Sequence, residues 1–224
     1  MSSRKDAPDN PFDLGPRMKL YEQASQVILP RRLPLIIRVD GRAFSSFTRH
    51  VNKPWDDGIR DRMESACHWL LSEIQGAKFA YCQSDEISVL VTDYDALNSE
   101  PWFGKNLQKV VSIAAATATN GFNLKHQTGN GLAAFDARAF VLPHAEVCNY
   151  YVWRQRDAVR NSIQGLAQAH FSHRQLQGLN GPQLQEKLWQ ERGVNWNDCE
   201  PWQKRGFCVR AAGEPEAIVV ETPE

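Results

Sequence analysis

Residues 33–47 read LPLIIRVDGRAFSSF, and residues 78–91 read KFAYCQSDEISVLV. In the first stretch an apolar, β-branched run of strand length ends on Asp40. In the second, two β-runs meet at Ser84-Asp85-Glu86. Carboxylates placed just past buried strands are costly to hold close together unless a cation neutralises them. Two aspartates that converge make a site for hard divalent ions, and phosphoryl chemistry is the commonest use of such sites. Whether these two converge is a question of fold.

Working outward, Leu14, Met18, Tyr21 and Ala24 stand at helical spacing and predict a helix over 14–27. A strand over 33–39 follows. Asp57 is a plausible N-cap for a helix to about Gln75, with Ile59, Met63, Cys67, Leu70 and Ile74 on one face and Gly76 as the stop. Strands over 78–83 and 87–92 are separated only by Ser84-Asp85-Glu86, which predicts a hairpin. A helix from Pro101 to about His126 carries the small residues 114–116 and Ala118, which permit close packing on a sheet. A strand in AAFDARAFVL (133–142) comes next, then helices over about 144–171 and 182–190. A loop from 193 leads to a short strand, FCV (207–209).

The order β-α-β-β-α-β is the split βαβ, ferredoxin-like arrangement, an α+β fold with flanking helices and a C-terminal helical extension. A right-handed crossover makes the first two strands parallel, with the third threading between them antiparallel. The hairpin turn then lies at the sheet end where the first strand finishes. Asp40 and Asp85 meet there although 45 positions separate them. Polymerase palms and nucleotide cyclases use this geometry for two metal ions. The alternative makes Asp40-Gly41 a simple turn and Asp85 a hairpin residue. The organisation expected is a mobile 1–13, a single palm-like catalytic domain over 14–210, and an acidic tail over 211–224.

Composition sets bounds. Hydrophobic content of 42% and charged content of 23% describe an ordinary globular chain. No apolar run approaches the length of a membrane span, and MSSRKDAPDNPFD has no apolar signal core. Five cysteines without CxxC spacing fit reduced thiols better than a disulfide framework or a zinc site, so a cytoplasmic location is expected. Formal net charge is zero, which rules out an overall basic field as the argument for nucleic acid. The last eleven residues carry four glutamates and no base, leaving +4 on the remainder.

Six motifs now stand in order: RVDGRAF, Lys53-Pro54, SDEIS, FDAR, WRQRD followed by Asn161, and GVNWND with WQKRG. Together with LGPRMKLYE, this series resembles the tRNA-histidine guanylyltransferase superfamily, in particular its bacterial guanylyltransferase-like branch, from about residue 14 to 208. The resemblance implies metal-dependent addition of nucleotides to the 5′ end of tRNA, the reverse of the usual polymerase direction. It implies Asp40, the carbonyl of Gly41, and Asp85 as ligands of two Mg²⁺ ions, with Glu86 as a catalytic partner that shapes the site; a surface hairpin glutamate is the open alternative. Arg42, Ala43, Phe44, Ser45, Ser46, Lys53 and Ser84 are implied at the nucleotide and its phosphates. GTP or another NTP is the implied substrate, with ATP for activation of the 5′ end. Asp157, Arg160 and Asn161 are implied at the RNA 5′ end, and Arg17, Arg138, Asn197, Lys204 and Arg205 at the RNA. Asp136 and Arg138 alternate on one strand face, so a structural ion pair remains open for them. A homotetramer is the implied assembly.

Three positions depart from the pattern. Val159 stands where the family has histidine, Leu184 where it has lysine, and Ser45 where histidine is frequent. The first two are phosphate-handling positions linked to adenylyl activation. Their loss leads to the expectation that 5′-monophosphorylated RNA is activated poorly and 5′-triphosphate ends are preferred. Two other classes stay open: a catalytically silent RNA-binding module, and a purine nucleotide cyclase on the same strand order.

Overall fold

The apolar run Leu35–Gly41 forms strand β1, preceded by helix α1 (Leu14–Gln23). The computed structural model describes residues 13–124 and 131–211, so the N-terminal segment before Asp13, the acidic tail beyond Ala211 and the predicted helix end at His126 lie outside the described residues. After β1 come the single-turn helix α2 (Phe44–Phe47) and the long helix α3 (Asp57–Glu73). Strands β2 (Ala77–Gln83) and β3 (Glu86–Val91) follow, then α4 (Leu107–Asn123) and β4 (Phe135–Val141). The C-terminal part holds α5 (Glu146–His170), α6 (His173–Leu176), α7 (Gly181–Arg192), α8 (Pro201–Arg205) and β5 (Phe207–Arg210).

The five strands lie in the order β4-β1-β3-β2-β5, with every neighbouring pair antiparallel. Strand β3 therefore sits between the parallel β1 and β2, as the split βαβ reading requires. The two faces of the sheet differ, because side chains alternate along a strand. Leu35, Ile37 and Val39 join Ile87, Val89 and Val91 in the main core under α3 and α4. On the opposite face Arg38 and Asp40 stand across from Ser88 and Glu86, and α5 covers them through Tyr150 and Arg154. A second apolar cluster ties α5 to α7 and to the turn at Trp196.

Local departures from the sequence reading have physical causes. Asp56, not Asp57, caps α3, its carboxylate accepting from the Ile59 amide. The helix expected from Pro101 starts only at Leu107, capped by Asn106. Residues Trp102–Lys105 form a tight 3₁₀ turn with Phe103, Gly104 and Lys105 in left-handed conformations, which buries Trp102 and Lys105. Helix α1 stops at Gln23 rather than Val27 and buries none of its residues. The segment expected as a loop before the last strand contains α8. Of the small residues on α4, Ala114 and Ala118 enter the core, whereas Ala116 is exposed. It is Gly121 that allows the closest approach, to Trp69 and Ala66 of α3.

Candidate active site

Strand β1 ends at the acidic end of the sheet, where Asp40 is the cross-strand partner of Glu86 on one side and Asp136 on the other. The β2–β3 connection is a two-residue turn, Ser84-Asp85, with Ser84 at φ 51°. That turn folds against β1: the Gly41 amide donates to the Asp85 carbonyl at 3.0 Å. A Cβ built on Gly41 would lie 3.0 Å from the Cβ of Asp85 and 2.5 Å from the Phe44 ring. Glycine is thus required for the turn to close on the strand, a reason independent of any bound ion. Asp40 and Asp85 are brought to one place, with Asp85 in the hairpin turn itself.

The electrostatics separate the three carboxylates. Burial pushes the Asp85 carboxyl above its ordinary range, and the charge of Asp40 pushes it further. Glu86 is also raised, chiefly by burial, but Arg154 and Arg38 oppose the shift. Glu86 is 8% exposed, so it is no surface glutamate. Arg38 pairs with Oε2, and Arg154 donates to the same oxygen at 3.0 Å. Arg154 Nε lies 2.8 Å from Oε1, in ion-pair contact without hydrogen-bond alignment. Among the described residues neither Asp40 nor Asp85 has an ion-pair partner.

No group of three or more His, Cys, Asp or Glu side chains that could enclose a metal occurs among the described residues. What this end of the sheet offers is smaller: two carboxylates that no cation pairs with among the described residues, and the Gly41 backbone. Such a hard, partial oxygen set fits Mg²⁺, which keeps several waters and shares the oxygens of a bound phosphate instead of being enclosed by protein.

Beyond Gly41 the chain turns through Arg42, bound by its amide to the Ala134 carbonyl, and Ala43, at φ 50°. Arg42, Ser45 and Ser46 are exposed and Phe44 is buried in the aromatic core with Phe47, Phe122 and Phe135. The amides of Ser46 and Phe47 both donate to the Ala43 carbonyl, and the side chains of Arg42, Ser45 and Ser46 are exposed at the turn. Lys53 is exposed, its ammonium donating to Thr48 Oγ1 at 3.2 Å.

A cavity of about 390 Å³ opens beside the acidic turn, between α3 and β2 on one side and α5 and α8 on the other. Lys53, Ser84, Asp85, Glu86, Asp157 and Asn161 all line it, whereas Asp40, Gly41, Arg42, Ser45 and Ser46 do not. Asp157 bridges Arg154 and Arg160 and is approached by the Asn161 amide at 3.5 Å. Sequence reasoning missed Arg60, Gln83 and Arg154 as lining residues. Arg60 lies over the rings of Trp202 and Phe207. Their positions follow from pairings far apart in sequence. Only the Arg38–Asp40 alternation on a strand otherwise apolar could have signalled a polar sheet face.

The residues expected at RNA scatter. Arg17 is on the exposed α1, and Arg138 forms a loose surface pair with Asp136 at 3.9 Å. Lys204 Nζ donates to the Asn197 carbonyl at 2.6 Å, and Asn195 bonds Asp198 and the Asn197 amide, so this segment largely satisfies itself. Arg205 is exposed while its carbonyl accepts from the Tyr81 hydroxyl.

The family model described as tRNAHis guanylyltransferase (Thg1) matches residues 15–143, more than half of the chain and all of β1 through β4. The chain belongs to the tRNAHis guanylyltransferase family. It is therefore a nucleotidyltransferase, and the α+β reading stands. Among curated relatives, the tRNA(His) guanylyltransferase of Schizosaccharomyces pombe is 27% identical over 212 residues, covering 86% of this chain and 78% of that protein. A solved bacterial tRNA(His) guanylyltransferase (Thg1)-like protein in complex with ATP superimposes with a TM-score of 0.86 at 47% identity, covering 88% of this chain and 86% of the other. The structure of such a bacterial protein with GTP gives 0.79 at 46% identity, covering 88% and 84%.

Proposed function

We propose that this guanylyltransferase-family enzyme adds nucleotides to the 5′ end of tRNA in the 3′-to-5′ direction. The observation that supports it most is the convergence of Asp40 and Asp85, neither paired with a cation among the described residues, at the sheet end beside the 42–46 turn and the Lys53 cavity. The incoming nucleotide's 3′-hydroxyl attacks an activated 5′ phosphate of the RNA, and the leaving group is pyrophosphate or, after adenylylation by ATP, AMP. Asp40, Asp85 and the Gly41 carbonyl would hold two Mg²⁺ ions, which when bound lower the pKa of the attacking hydroxyl and neutralise charge on the leaving group. Arg42, Ser45, Ser46 and Lys53 grip phosphate oxygens, and Asp157, Arg160 and Asn161 face the RNA 5′ end. The likeness to bacterial structures bound to ATP and GTP supports nucleoside triphosphates as substrates.

A preference for 5′-triphosphate ends belongs to the same reading. Leu184 is 4% exposed within the second apolar cluster, and Val159 packs against that cluster. Each charge-assisted phosphate bond given up at such positions is worth roughly 1.5–3 kcal/mol. This favours repair of truncated, triphosphate-bearing tRNA over guanylate addition to monophosphorylated tRNA-histidine. Transfer assays on matched tRNAs test it: faster extension of the triphosphate end supports the preference, and equal rates defeat it. A cytoplasmic homotetramer completes the proposal. The exposed Leu14, Met18 and Tyr21 of α1 supply apolar surface for assembly.

A further inference from the structure

Glu86 occupies an odd position for a carboxylate of this site. It is directly opposite Asp40 on the same sheet face, close enough for the two charges to repel. Yet it is held by two guanidiniums from different elements, Arg38 of β1 and Arg154 of α5. Arg154 is itself 3% exposed and stacks over the Trp153 ring at 4.6 Å. The same guanidinium reaches Asp157 Oδ2 at 3.0 Å, so one buried side chain bridges the catalytic turn and the wall of the cavity. A buried carboxylate with two fixed cations has its lone pairs and charge committed.

We infer that Arg154, with Arg38, is a positioning residue that withholds Glu86 from the metal, so that the acidic end presents two carboxylates and not three. This rests on Asp40 and Asp85 being the metal-binding pair. The geometry gives Arg154 a second consequence. Through its contact with Glu86, the residue after Ser84-Asp85, it ties α5, which carries Asp157, to the start of β3.

Binding of Mn²⁺ alone to the full chain, read by paramagnetic resonance, tests the inference with Tm recorded for every variant. Glu86→Gln keeps the shape and a hydrogen-bonded contact to both arginines, and should bind Mn²⁺ within about twofold of the parent, whereas Asp85→Asn should weaken binding about tenfold or more. Arg154→Met removes one of the two guanidiniums on Glu86, leaving Oε1 without a cation beside Asp40, and should tighten Mn²⁺ binding while lowering kcat. The double variant Arg154→Met/Glu86→Gln should return Mn²⁺ binding to the parent value. A merely structural arginine would move Tm and leave Mn²⁺ binding alone, which would overturn the inference. So would Glu86→Gln weakening Mn²⁺ as much as Asp85→Asn, because Glu86 would then be a ligand. If Asp85→Asn itself leaves Mn²⁺ bound, the metal-binding pair is wrong and the inference falls with it. Should Arg154→Met not fold, Arg38→Met removes the other guanidinium on Glu86 and should tighten Mn²⁺ binding in its place, whereas unchanged binding would overturn the inference.

Discussion

Gly41 sets the geometry on which the two aspartates depend. A methyl group there would enter the Phe44 ring and press on Asp85. Gly41→Ala is expected to cost about 1–3 kcal/mol of stability, the usual scale for overpacking, measurable by urea unfolding, and to lower activity by displacing the turn. Asp85 carries the opposite trade. Its raised pKa means the folded state holds the proton more tightly than the unfolded state. The group therefore weighs against folding as pH rises above the ordinary aspartate value of 3.8. In metal-free buffer the parent should lose Tm relative to Asp85→Asn as pH rises above that value, and Asp85→Asn should melt higher than the parent at neutral pH. Mg²⁺ with GTP should raise the parent and leave the variant unmoved. Both aspartates were legible in the sequence because each ends an apolar period. The commitment of Glu86 was not legible, since its partners Arg38 and Arg154 lie 48 and 68 positions away.

At the scale of elements, two buried devices hold the strands that carry the site. Lys105 and Asp93, each 2% exposed, are paired at 3.1 Å. Lys105 also donates to the carbonyls of Pro30 and Leu33, and both Asp93 oxygens accept from the Arg32 amide. The left-handed turn before α4 is thus nailed to the start of β1 and the end of β3. Asp93→Ala strands a buried ammonium and should cost about 3–5 kcal/mol in equilibrium unfolding. This turn explains why proline's preference for a first helical turn misled at Pro101: Phe103-Gly104-Lys105 leave the helical region to bury a charge whose partner lies elsewhere. Arg62 plays the equivalent part for α3, donating to the Phe122 carbonyl and to Asn123 while lying 4.0 Å from the Phe122 ring. The amphipathic helices and strands themselves were readable. Their tertiary pins were not, because no local pattern marks a buried Lys or Arg.

For the whole molecule, the strand order β4-β1-β3-β2-β5 followed from element sequence and crossover handedness, except for the pairing of β5 with β2. Four residues of FCVR do not say which edge they join. The C-terminal layer was read as helices, yet its second apolar cluster, centred on Leu188 and Trp196, became visible only when α5 and α7 met. Helix α1 leaves its apolar side chains exposed, so sedimentation of the full chain should report a homo-oligomer that Met18→Glu and Tyr21→Glu weaken. A monomer at micromolar concentration would remove that part of the proposal. The decisive measurement is extension of a 5′-truncated tRNA bearing a triphosphate end, with labelled GTP and Mg²⁺. The parent chain should lengthen the RNA at its 5′ end, and Asp40→Asn and Asp85→Asn should each abolish the product while remaining folded. Undiminished extension by either variant would contradict the shared role of the two carboxylates.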